Sequence, residues 1–169
     1  MYSILKTCAI LVLLFIVLPG CQKARIEPGD DAPDFSLKDI DGQVVRLHDY
    51  RGKIVLVNFW GDCCADFSTA FPRLQPTYKK LHPQNVEFLA VNAGQPKNLP
   101  VYYADKYDIT FPMLADEMAD VAMSYKVRSL PTNFMISEQG KVIDVLVGWP
   151  TEEYLQEIIS SKRQAQKER

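Results

Sequence analysis

The stretch Ile54 to Trp60, which reads IVLVNFW, narrows the fold of this chain more than any other. It is rich in β-branched and aromatic residues and bounded by Arg51-Gly52-Lys53 and Gly61. A short apolar run of this kind fits a strand buried on both faces of a sheet. Val86 to Val91 is a second such run. Between them, Cys64 to about Leu81 carries Phe67, Phe71, Leu74 and Tyr78 at spacings of three and four, the pattern of an amphipathic helix. Pro72 and Pro76 should kink or delay that helix, and Pro83 should stop it. Strand, helix, strand in this order predicts a right-handed βαβ unit with parallel strands, and hence an α/β protein.

The flanking segments fill out the sheet. Phe35 to Leu37 and Val44 to Leu47 flank Asp41-Gly42, a strong hairpin signal. Leu99 to Tyr107 and Glu117 to Tyr125 read as helices on either side of an extended Phe111 to Leu114. Asn133 to Ile136 and Lys141 to Val147 form a second hairpin across Glu138-Gln139-Gly140. Thr151 is the expected N-cap of a last helix, with Glu152 and Glu153 placed favourably against its dipole. A chain of 169 residues, 47% hydrophobic and 24% charged, suits one globular domain plus a short appendage. Formal net charge is −2 and no basic stripe exceeds Lys79-Lys80 and the mixed-charge end Lys162 to Arg169, so nothing points to nucleic acid.

Residues 1–20 are that appendage. Lys6 gives a basic start, Ala9 to Leu18 is an apolar run, and Leu18-Pro19-Gly20-Cys21 closes it. A helix over the run reaches about 15 Å, half of a bilayer's hydrocarbon core, and is too short to span it. Its length and flanks fit a secretory signal. Its ending resembles a bacterial lipobox, with Pro19 a departure from the usual small or β-branched residue; the resemblance implies lipidation of Cys21 as the mature N-terminus and an extracytoplasmic, lipid-anchored location. Residues 21–33, polar and containing Pro28, Gly29 and Pro33, then read as a lipidated tether. The domain is expected over 34–169, with order starting near Phe35.

With Cys8 removed in the signal and Cys21 lipidated, Cys63 and Cys64 are the remaining thiols. Adjacent trans residues have Cα atoms about 3.8 Å apart, whereas unstrained disulfides need about 4.4–6.8 Å. The pair is therefore no ordinary structural staple, and two free thiols are expected at rest. His48 and His82 are expected at the surface or in packing roles, Tyr102, Tyr103 and Tyr107 in core or rim, and Met113, Met118, Met123 and Met135 as core fillers.

Four stretches carry a resemblance to a known family: Ala32-Pro33-Asp34-Phe35-Ser36-Leu37 with its hairpin, Gly52 to Gly61, Phe88-Leu89-Ala90-Val91-Asn92, and Tyr125 to Phe134 with Leu130-Pro131 inside it. Together they resemble the TlpA/ResA branch of the thioredoxin-like proteins over essentially all of residues 31–160. The resemblance implies a thioredoxin-like fold with an N-terminal β-hairpin and a central helical insertion. The family pattern W-(A/G)-x-W-C-x-x-C-(R/K)-x-E-x-P registers on Pro72 without a gap. Cys64 then holds the nucleophilic position and Phe67 the resolving one; Cys63 replaces a tryptophan, Ser68 a basic residue and Ala70 a glutamate, while Gln95 stands where close relatives carry glutamate. By the same resemblance the Leu130-Pro131 bond is cis and presents a backbone edge beside Cys64, with Trp60, Phe67, Leu130 and Pro131 as the client-binding surface.

Thiol–disulfide exchange passes through a mixed disulfide that a second thiolate normally releases, and Phe67 has no sulfur with which to do so. A helix N-terminus favours the Cys64 thiolate, while Asp62 and Asp66 disfavour it. The resemblance implies a membrane-tethered thiol–disulfide oxidoreductase, with Cys64 and Cys63 as catalytic residues, acting in cytochrome c maturation or on exported proteins. The expected partners are a disulfide-bearing or unfolded exported polypeptide, a membrane thiol electron donor, and the membrane itself through the lipid. No cofactor and no metal site is expected. The incomplete cysteine pair opens two alternatives, a non-catalytic client-binding or assembly module and, less favoured, Cu(I) held by Cys63 and Cys64.

Overall fold

The structure, a computed structural model, describes residues 24–63 and 67–168. The expected signal segment, Cys21 and the expected nucleophile Cys64 lie outside the described residues. The first hairpin is β1 (Ser36–Asp39) and β2 (Val44–Arg46). The two apolar runs are β3 (Ile54–Trp60) and β4 (Val86–Ala93), buried at every position. They pair in parallel from Ile54 opposite Val86 to Trp60 opposite Asn92. Between them the helical segment is split into α1 (Phe67–Ala70), a 3-10 turn at Phe71–Arg73 and α2 (Leu74–Leu81). Pro72, which lacks an N–H, sits in the tightened turn.

After β4 comes α3 (Asn98–Tyr107), which leads to β5 (Met113–Asp116), itself parallel to β4. A short α4 (Asp120–Ser124), the hairpin β6 (Thr132–Ile136) and β7 (Val142–Val147), and α5 (Glu152–Lys167) complete the chain. Thr151 caps α5 by accepting from the Tyr154 backbone N–H at 3.2 Å. The seven strands form one mixed sheet in the order β2-β1-β5-β4-β3-β6-β7. Alternation along β3 divides the core: Ile54, Leu56 and Trp60 face α2, α3 and α5, while Val55, Val57 and Phe59 face Phe35, Ala122 and Tyr125.

Two expectations fail here. The segment before Phe35 is no free tether. Gly29 N–H donates to Val142 O at 2.9 Å, Val142 N–H to Asp30 O at 2.9 Å and Ala32 N–H to Gly140 O at 3.0 Å. Lys141 pairs with Asp31 at 2.6 Å, Ile26 packs on the core, and the Tyr125 hydroxyl donates to Pro33 O at 2.8 Å. An edge strand presents backbone groups that need partners, and this segment supplies them to the start of β7. The methionines also divide: Met113 and Met135 are buried, but Met118 is 77% and Met123 59% exposed. His48 and His82 lie at the surface beside Asp34 and Glu87.

Candidate functional site

The carboxyl ends of β3 and β4 carry the site. The chain leaves β3 at Gly61, where a Cβ would lie 3.0 Å from Gln95 Oε1, 3.2 Å from Leu130 Cδ1 and 3.4 Å from Cys63 Sγ. Three loops therefore converge on one bare Cα: the residues after β3, those after β4, and the loop before β6. Cys63 is exposed and its thiol is free.

Gln95 ties two of these loops together. Its Nε2 donates to Asp62 Oδ1 at 2.5 Å, while its Oε1 accepts from the Asp62 backbone N–H at 3.2 Å and from Asn92 Nδ2 at 2.9 Å. An amide both donates and accepts, so one side chain closes this ring. The third loop rests on a buried pair: Asn58 Nδ2 donates to Asn133 Oδ1 at 2.6 Å, and Asn133 Nδ2 donates to Gly148 O at 2.7 Å and Leu146 O at 3.3 Å. Thr132 Oγ1 donates to Ser129 O at 2.7 Å, and Gly148 N–H to Pro131 O at 2.9 Å. Pro131 is buried, Leu130 is half-buried, and their peptide bond is cis. The sequence signal for Asn58 and Asn133 was present: each is a polar residue inside an otherwise buried strand, and such residues need a built partner.

Behind Gly61 stands an aromatic wall. Phe67 stacks on Trp60 with ring centroids 5.2 Å apart and on Phe71 at 4.8 Å, and meets the edge of Tyr103 at 4.7 Å. Trp149 and Tyr107 close around it at 5.8 and 6.5 Å. Phe67 and Phe71, four residues apart, share the inward face of the segment. Trp60 is 0% and Phe67 5% exposed, which corrects their assignment to a client-binding surface: both rings belong to the core, and among the four expected residues only Leu130 offers side-chain surface beside Cys63. Burial first, and then the negative charge of Asp62, raise the Tyr103 phenol above its ordinary range, so Tyr103 stands where wall and loop meet. Among the described residues no three His, Cys, Asp or Glu side chains are grouped to hold a metal.

The chain matches the AhpC/TSA family over residues 28–145. It is 39% identical over 140 residues to thiol-disulfide oxidoreductase ResA of Geobacillus thermodenitrificans, covering 83% of this chain and 80% of that one. Against ResA of Bacillus subtilis the identity is 37% over 138 residues, covering 82% and 77%. A Chlorobium tepidum protein of the thiol:disulfide interchange DsbE kind superposes with a TM-score of 0.74 at 28% identity, covering 80% of this chain and 97% of its own. The exposed lipoprotein thioredoxin of Streptococcus pneumoniae gives 0.65 at 27% identity, covering 76% and 99%. With the two parallel strands, the convergent loops and these relatives in place, the chain belongs to the thioredoxin-fold AhpC/TSA family, alongside the thiol-disulfide oxidoreductases named ResA.

Proposed function

We propose that this protein is an extracytoplasmic, lipid-anchored thiol protein of the ResA kind that exchanges disulfides through Cys64 without an internal resolving cysteine. The observation that carries the proposal is Phe67. At the resolving position stands a ring packed between Trp60 and Phe71, with no sulfur to offer and little freedom to move aside. In the first step the Cys64 thiolate attacks one sulfur of a client disulfide; the Cys64–client bond forms, the client's own S–S bond breaks, and its other sulfur leaves as a thiolate. In the second step an external thiolate attacks the client sulfur of that mixed disulfide, passing the client on and returning Cys64 as a thiolate. Cys63 leaves an exposed thiol in the same loop, and Leu130 with the backbone before Pro131 is the edge on which an extended client polypeptide would pair. A purely client-holding module finds less support, because the rings that would have enlarged its apolar face are buried. The Streptococcus pneumoniae lipoprotein thioredoxin and the Cys21 motif support the anchored location.

The test is intact-mass analysis after exposure to a soluble disulfide. The expected adduct persists until a small thiol is added, is lost in Cys64→Ser and survives in Cys63→Ser. An adduct that leaves unaided while Cys63 and Cys64 become oxidised together would overturn the proposal.

A further inference from the structure

Resting on the anchored location proposed above, the structure assigns a membrane-docking face: we infer that Arg25, Lys126 and Arg128, with the exposed apolar side chain of Val147, lie on the anionic headgroups of the bilayer that holds Cys21. Little chain separates the lipid from the folded domain. Three residues lead from Cys21 to Ala24, a contour of at most about 11 Å. Ala24 is already held, because Arg128 Nη2 donates to its carbonyl oxygen at 3.5 Å. Two residues later Ile26 packs on the core, and from Gly29 the backbone is bonded to β7. The strap that replaces the expected tether thus keeps the face around Ala24 and Arg128 within about 11 Å of the lipidated residue.

What this short lead brings to the surface suits it. Arg25, Lys126, Arg128 and Val147 line one open groove of about 430 Å³ between the strap and the loop before Leu130. Lys126 sits at the loop apex in the left-handed region, φ 56°, with its N–H bonded to Met123 O at 2.9 Å. Val147 is 65% exposed and is among the few large apolar residues left in solvent. Glu27 and Asp144 also line the groove, but Asp144 accepts from the Tyr154 hydroxyl and is partly covered. Cations beside an exposed apolar side chain, within about one Debye length of a headgroup layer, match an anionic interface rather than a neutral one. Ser129 and Leu130 continue the same loop, so docking sets the client edge at the membrane surface.

The full lipoprotein, reconstituted on vesicles of phosphatidylcholine alone or mixed with phosphatidylglycerol, tests this by hydrogen exchange. Peptides covering residues 24–29 and 126–130 are expected to exchange about fivefold more slowly on the mixed vesicles. High salt or the combined Arg25→Glu, Lys126→Glu, Arg128→Glu substitutions should erase the difference. Protein that floats with both kinds of vesicle yet exchanges equally on each overturns the docking and leaves the anchor standing. Failure to float with either overturns the anchor and the docking with it. Protection that instead rises with protein concentration in lipid-free detergent assigns the face to a second copy of the chain and overturns the inference.

Discussion

Compare the two sides of Gly61. Behind it, Trp60, Phe67, Phe71 and Tyr103 form a wall of rings with no water-facing surface at Trp60 and almost none at Phe67; in front, Asp62, Gln95 and the exposed Cys63 form a polar loop held by a few hydrogen bonds. The two regions differ in what a substitution does to them. A substitution that enters the wall is absorbed into packing and becomes costly to reverse. One in the loop changes what the thiol meets and leaves the fold nearly untouched. The largest test of this contrast is Phe67→Ala. Emptying a site bounded by five aromatic rings should cost about 3–5 kcal/mol, read as a lower denaturation midpoint in urea with unchanged slope. A loss under about 1 kcal/mol would mean that the ring is not part of the wall.

Gly61→Ala probes the boundary. The new methyl would meet Gln95, Leu130 and Cys63 at 3.0–3.4 Å, each through the tip of a side chain that can yield by a few tenths of an ångström. The expected loss is about 1 kcal/mol, accompanied by a changed alkylation rate at Cys63 in a Cys64→Ser background. Gln95→Ala belongs wholly to the loop. It removes the bonds to Asp62 and should cost no more than about 1 kcal/mol while raising the Cys63 alkylation rate, because the loop loses its tie to β4. A loss as large as that of Phe67→Ala would erase the distinction between the two regions.

This division also explains what could be read from the sequence. The strands β3 and β4, both hairpins and the Thr151 cap were legible because each rests on a local pattern: apolar runs, an Asp-Gly turn in one hairpin and a Gln-Gly turn in the other, a hydroxyl before two glutamates. Register with the family motif placed Cys63, Cys64 and Phe67 in order along the chain. It left open which way the Phe67 ring points, since an apolar residue at a helix start reads equally well as surface beside Pro131 or as core. Tertiary partners decided that, and Trp149 and Tyr103 come from distant segments. The strap failed for the same reason: Pro28, Gly29 and Pro33 read as linker, and only the open edge of β7, distant in sequence, turns them into structure.

The smallest expected effect lies where wall and loop touch. Tyr103 packs against Phe67 and Trp60 on one side and feels Asp62 on the other; burial and that charge together raise its phenol above the ordinary range near pH 10. Asp62→Asn removes the charge and leaves the rings in place. The Tyr103 phenol should then ionise at lower pH, with the residual elevation due to burial alone, as a ring-carbon NMR titration of the labelled tyrosines would record. The sign carries over to stability. A phenol that holds its proton more tightly folded than unfolded stabilises the fold fully below about pH 10, and that contribution is lost as pH rises through the folded value. Asp62→Asn should therefore narrow the alkaline loss of stability and leave neutral pH nearly unaffected. An unchanged Tyr103 titration would show that the loop's charge does not reach the wall, and would leave wall and loop with no electrostatic link across Gly61.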